Sequence, residues 1–162
     1  MIKVNVLVTN RSWKKYIKDP KIYLKKKIKR IEQRIISFKK NTFVFSLLLS
    51  DNKNIQQLNK KFRNKNLPTD VLSFPFQEKK FLKNLLKKKS DIYLGDVIIS
   101  LDKVVPRRGK NNFKIAFDKI WVHGFTHLLG YRHKSDSDYL KMRKFEKNIL
   151  KAINFNDRKN SK

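Results

Sequence analysis

Residues 113–133 read FKIAFDKIWVHGFTHLLGYRH, and the architecture turns on how this stretch folds. Counted from Phe113, the residues Ala116, Phe117, Ile120, Trp121, Gly124 and Leu128 fall at offsets of three, four, seven, eight, eleven and fifteen. That spacing traces one wide apolar stripe along a helix over residues 113–129, which must lie against a core. Gly130 is the expected terminator, because glycine adopts the left-handed conformation that closes a helix without steric cost. His123 and His127 sit one turn apart and so project to the same side. At about 100° per residue His127 falls inside the stripe and His123 at its edge, so both imidazoles face inward. Tyr131 and Arg132 then carry His133 beyond the turn, from where it can reach back to the other two.

These three are the only histidines in the chain. Three neutral imidazoles without a thiolate suit Zn²⁺ or a similar borderline divalent ion, and three protein ligands leave a tetrahedral position open for water, the catalytic rather than the structural pattern. Two other readings stand beside it. A carboxylate such as Asp96 or Asp136 would close the site and make the metal structural, or the histidines would be satisfied core residues. The residue after the first histidine is Gly124, where the metalloprotease pattern H-E-x-x-H carries its general base. A protease of that type is therefore not expected, and the nucleophile would have to be a water activated by the ion itself.

Outward from this helix, Ile2, Val4, Val6 and Val8 alternate as a half-buried strand. After Pro20 the period changes: Leu24, Ile28, Ile31, Ile35 and Phe38 trace a helical stripe whose other faces are mostly Lys and Arg. Residues 42–50 read as an interior strand and 55–62 as a short helix, followed by a loop over 63–69. Residues 71–76 form a strand placed at a sheet edge, because Pro75 has no N–H to give to a ladder. The lysine-rich stretch 79–90 is either a helix or a loop. A fourth strand spans 92–101, and 106–112 is a turn. A last helix over 138–153 starts from a capping box formed by Ser135 and Asp138. Residues 1–155 form a single domain with a flexible basic tail at 156–162. Four unevenly connected strands and about five helices point to an α+β fold with a small mixed sheet.

The formal net charge is +28, from 41 Lys and Arg against 13 Asp and Glu. Such a chain suits polyanionic partners, although the abundance of Lys, Asn, Ile and Phe also fits a biased genome, so the charge alone does not assign RNA. Cysteine is absent, which excludes disulfides and thiolate metal sites. No apolar run approaches membrane-spanning length and the N-terminus reads as a strand, so a soluble cytoplasmic protein is expected.

Three blocks resemble the bacterial YbeY endoribonucleases, the ribosomal RNA maturation factors: LNKKFRNKNLPTDVLSFPF at 58–76, LGDVIIS at 94–100, and HGFTHLLGYRH at 123–133 with Met142 and Glu146 beyond it. The resemblance implies an α+β fold and one zinc ion held by His123, His127 and His133. It also implies cleavage of single-stranded RNA, in maturation of the 16S ribosomal RNA 3′ end and in ribosome quality control. The implied partners are ribosomal RNA and the ribosome or its small-subunit proteins, with neither membrane nor DNA expected. The family's functional arginine maps onto Arg63, whose planar guanidinium suits a phosphate clamp that stabilises transition-state charge. Two positions depart from the family pattern: Arg132 stands where an aspartate is usual and is expected to point to solvent, and Thr126 replaces an apolar residue. The alternatives are a ribosome-assembly factor with a structural metal and a metallohydrolase of another substrate.

Overall fold

A computed structural model describes residues 1–35, 41–85, 87, 91–105, 113–133 and 135–154. Strands β1 (Ile2–Val8), β2 (Thr42–Ser50), β3 (Val71–Pro75) and β4 (Asp91–Ser100) form one sheet in the order β1-β2-β4-β3. β1 and β2 pair parallel, as do β2 and β4, while β3 runs antiparallel to β4. β3 is an edge strand, as Pro75 requires.

Six α-helices occur among the described residues: α1 (Pro20–Arg34), α2 (Asn52–Arg63), α3 (Lys79–Leu85), α4 (Leu101–Val104), α5 (Phe113–Leu128) and α6 (Asp136–Asn154), with a 3-10 turn at Arg11–Lys15. The mixed α+β class is as expected. The one-turn helix α4 and the 3-10 turn were not, because each is too short to show a period. The stretch 79–90 resolves into a helix over its first part. Ile35 is extended and ends α1 earlier than its apolar stripe suggested. Phe38, the turn at 106–112 and the tail at 156–162 lie outside the described residues.

One sheet face packs under α1 and α5. Phe43, Phe45, Leu47 and Leu49 of β2 and Ile92, Leu94, Val97 and Ile99 of β4 are buried there with Leu24, Ile28, Phe117 and Trp121. The inward parity along β4 switches between Leu94 and Val97, and the cause is a bulge: Val44 pairs with Tyr93 but Phe45 pairs with Gly95, so Leu94 is the extra residue. Gly95 has φ +125°, and a Cβ there would stand 2.1 Å from the Phe74 carbonyl oxygen, so only glycine fits. The opposite face carries a smaller cluster in which Ile55 of α2 packs on Leu72 and Ile98.

α5 is the central helix and is buried over more of its circumference than its stripe predicted, since Asp118, Val122 and Thr126 are buried too. Asp118 is satisfied by Lys27 Nζ at 2.7 Å, the Tyr23 hydroxyl at 3.0 Å and Trp121 Nε1 at 3.0 Å. Burial first, and then the Asp118 charge, push the Tyr23 phenol far above its ordinary range. Thr126 donates to the Val122 carbonyl at 2.8 Å, so its hydroxyl costs little in the position where an apolar residue is usual.

Candidate metal centre

The site is assembled where α5 ends. Gly130 has φ +84°. Its N–H donates to the His127 carbonyl at 3.0 Å and the Tyr131 N–H reaches the Thr126 carbonyl at 3.3 Å, the paired bonds of a Schellman cap. The chain therefore doubles back over the last turn, and His133 returns to the two helical histidines. Ring centroids are 4.6 Å apart for His123 and His127, 5.1 Å for His127 and His133, and 6.1 Å for His123 and His133. One ligand atom from each lies within 4.8 Å of the others. His123 and His127 are half-buried and His133 is exposed, so the pair stands at the margin of the core rather than inside the stripe.

The outer nitrogens of the two helical rings are already committed. His123 Nδ1 is 2.8 Å from Glu146 Oε1 on α6, and His127 Nδ1 is 3.1 Å from the Tyr131 carbonyl oxygen. A carbonyl and a carboxylate only accept, so each Nδ1 carries the hydrogen and each neutral ring presents a bare Nε2. Those two Nε2 atoms face each other at 3.1 Å. Two lone pairs repel at that distance unless a cation lies between them. Two imidazoles on one tetrahedral zinc, with Zn–N bonds near 2.05 Å, would hold their nitrogens about 3.3 Å apart. The donor set and its spacing therefore fit a zinc-type ion. Glu146 and the Tyr131 carbonyl, which orient these ligands, were not assigned that role from the sequence. Their signal is the tertiary contact between α5 and α6 and the geometry of the Schellman cap.

Burial, and next the neighbouring His123, push the His127 imidazole down to about 4. In the unfolded chain it would titrate near 6.5. The folded, metal-free protein thus binds fewer protons between these values than the unfolded chain. The stabilising contribution is fully present above about 6.5 and lost as the pH falls toward 4. Urea midpoints of metal-free protein measured across this window should fall more steeply for the parent chain than for His127→Asn. Parallel pH profiles would show that His127 is not held neutral by the fold.

A cavity of about 680 Å³ opens over the three histidines, walled by Arg63, Asp70, residues 71–74 of β3 and Arg132. Arg63 is the last residue of α2 rather than the start of a loop, because Asn64 takes the left-handed conformation (φ 55°) and closes the helix with its N–H on the Lys60 carbonyl. Asn59 Nδ2 on the Leu67 carbonyl at 2.7 Å then ties the following loop to α2. Arg132 is exposed, as expected, yet it also lines the cavity, and its charge helps to lower His127. Among the described residues no carboxylate joins the three-histidine cluster. Asp96 instead accepts from the Tyr93 hydroxyl at 2.7 Å and borders a groove with Leu7 and Leu58 on the other sheet face. Asp136 is exposed in the first turn of α6.

Fold and site together define an α+β protein with a three-imidazole metal-type centre at the floor of an open, arginine-flanked cleft. The family profile described as Endoribonuclease YbeY matches residues 7–154. The endoribonuclease YbeY of Pelagibacter ubique is 43 % identical over 157 residues, covering 94 % of this chain and 97 % of that protein. The one from Ehrlichia canis is 32 % identical over 157 residues, covering 94 % and 93 %. The solution structure of TM1509 from Thermotoga maritima shares the fold, with a TM-score of 0.57 at 22 % identity, covering 94 % of this chain and 89 % of that one. The chain belongs to the YbeY endoribonuclease family.

Proposed function

We propose that this chain is a zinc-dependent endoribonuclease specific for single-stranded RNA, with His123, His127 and His133 as its metal ligands and Arg63 as a catalytic residue. The observation that carries the reading is the pair of bare, converging Nε2 atoms beneath a cleft that also presents a guanidinium. A divalent ion at that point supplies Lewis acidity toward a phosphoryl oxygen and an activated water. The chain's own residues do the rest. Glu146 and the Tyr131 carbonyl hold the imidazoles in the ligating tautomer, and Arg63 donates in parallel to two oxygens of the scissile phosphate, stabilising charge that grows in the transition state. The cleft lies on one domain, residues 1–155, and the surrounding positive potential draws in a polyanion.

The family relationship extends the proposal to a cytoplasmic role in 16S ribosomal RNA 3′-end maturation and ribosome quality control, with the ribosome or small-subunit proteins as partners. No helix among the described residues is long and apolar enough to cross a membrane. Arg63 is exposed, so its replacement leaves the fold intact. Arg63→Ala should therefore slow cleavage of a single-stranded RNA by about 10²- to 10³-fold, in line with loss of one transition-state donor, at unchanged metal content. Arg63→Lys should recover only part, because an ammonium lacks the planar fork. Unimpaired cleavage by Arg63→Ala would remove the residue from the mechanism.

A further inference from the structure

A second groove, of about 880 Å³, begins at the metal centre and runs between α5 and α6. His123, Glu146 and Asp70 border it at one end, and Lys119, Arg143, Lys147 and Lys151 line it along its length. Arg143, Lys147 and Lys151 follow one another at four-residue steps on α6, so their cationic heads are ranked about 6 Å apart along the helix. All three are exposed, as is Lys119 on the facing helix. Arg143 is held in place by the Tyr139 hydroxyl, 3.2 Å from its Nη1, and by the Tyr139 ring beneath its guanidinium at 5.9 Å. The two carboxylates are committed locally: Glu146 to His123, and Asp70 Oδ1 to the Val71 N–H at 2.8 Å and the Thr69 hydroxyl at 3.1 Å. Among the described residues none of these four cations has an ion-pair partner, so the rest of the groove is a row of positive charge over apolar Ile120 and Leu150.

We propose that this groove is a backbone track for single-stranded RNA: a strand whose reacting phosphate lies at the histidine cluster runs along α6, with successive phosphates held by Arg143, Lys147 and Lys151 and by Lys119 from the other wall. The proposal rests on the nuclease reading above. The chain itself supplies a control for its overall charge. Lys21, Lys25 and Lys29 form an exposed row of the same spacing on α1 and belong to neither the metal cleft nor the groove.

The test uses the full metal-loaded chain, with a fluorescent 2′-O-methyl oligouridylate read by anisotropy over a range of salt concentrations and cleavage of the matching RNA followed in parallel. Each phosphate contact on a single strand contributes a slope of about 0.7 in log K against log salt, so Arg143→Gln/Lys147→Gln/Lys151→Gln should flatten the slope by about 2 and raise KM more than it lowers kcat. Lys21→Gln/Lys25→Gln/Lys29→Gln should leave the slope nearly unchanged. Equal flattening by both triples would mean a diffuse positive envelope and overturn the track, as would an unchanged slope in the α6 triple. In either case, a parent chain that still cuts RNA leaves the nuclease reading standing. A parent chain that neither binds nor cuts the strand would overturn both.

Discussion

Purified His127→Ala protein should be folded, carry no metal, and cleave single-stranded RNA at least about 10³-fold more slowly than the parent chain, which should carry about one zinc per molecule. The size of the effect follows from how the site is built. His127 lies in the middle of the triplet, its ring the only one near both of the others, with centroids 4.6 Å from His123 and 5.1 Å from His133. Burial also holds its imidazole well below its ordinary pKa, ready to ligate at neutral pH. Without it, His123 and His133 remain, with ring centroids 6.1 Å apart and, among the described residues, no third member of the cluster. The fold should survive, because alanine is a good helix former and His127 lies at the half-buried end of α5. Elemental analysis and cleavage of one RNA, run on the same samples, decide the matter. Parent protein that binds zinc but cuts nothing would favour a ribosome-assembly factor with a structural metal. Unchanged cleavage in the variant would remove the triplet from the chemistry.

Gly124→Glu, which would restore the protease pattern H-E-x-x-H, should yield no protease and little folded protein. A Cβ at position 124 would stand 2.6 Å from Val97 Cγ1 and 3.2 Å from Val71 Cγ2, and Val97 is fully buried on β4. α5 lies so close to β3 and β4 that nothing larger than hydrogen fits. Gly124→Ala gains up to about 1 kcal/mol of helix propensity. Overpacking costs about 1–3 kcal/mol, so a net loss is expected, read as a lower urea midpoint. A glutamate adds a buried carboxylate without a partner, at a cost comparable with the roughly 5–15 kcal/mol that holds a domain of this size together. Val97→Ala should restore part of the stability in the Gly124→Ala background, because it removes the clashing methyl groups. Gly124→Ala protein as stable as the parent would mean that the sheet yields, and that close approach is not what demands glycine.

Much of this molecule was legible from spacing. The alternation of Ile2, Val4, Val6 and Val8, the stripe on residues 113–129 and the cap at Ser135 all describe what neighbouring residues do to one another. Asp138 N–H does donate to Ser135 Oγ, at 3.2 Å, although the helix begins at Asp136. Pro75 placed its strand at the edge through a missing donor. What was not legible depended on partners distant in the chain. The burial of Asp118 on α5 is one such case, since α1 brings Lys27 against it. The bulge at Leu94 is invisible in residues 92–101, because its cause is the register imposed by β2 and the approach of the Phe74 carbonyl to Gly95. Asp96 was one of two carboxylates weighed as a fourth ligand, yet the parity of β4 turns it to the opposite sheet face.

The histidine cluster divides along the same line. The sequence by itself determined that His123 and His127 share a side and that Gly130 lets His133 return, because helix pitch and the left-handed glycine are properties of a few consecutive residues. Only the tertiary structure decided that Glu146 and the Tyr131 carbonyl hold the two Nδ1–H groups, that Arg63 and Arg132 face the same cleft, and that a cationic groove leads away along α6. Those relations depend on how α2, α5 and α6 pack around one sheet. No local period encodes them, because the free energy that fixes them comes from burial shared among segments far apart in the chain.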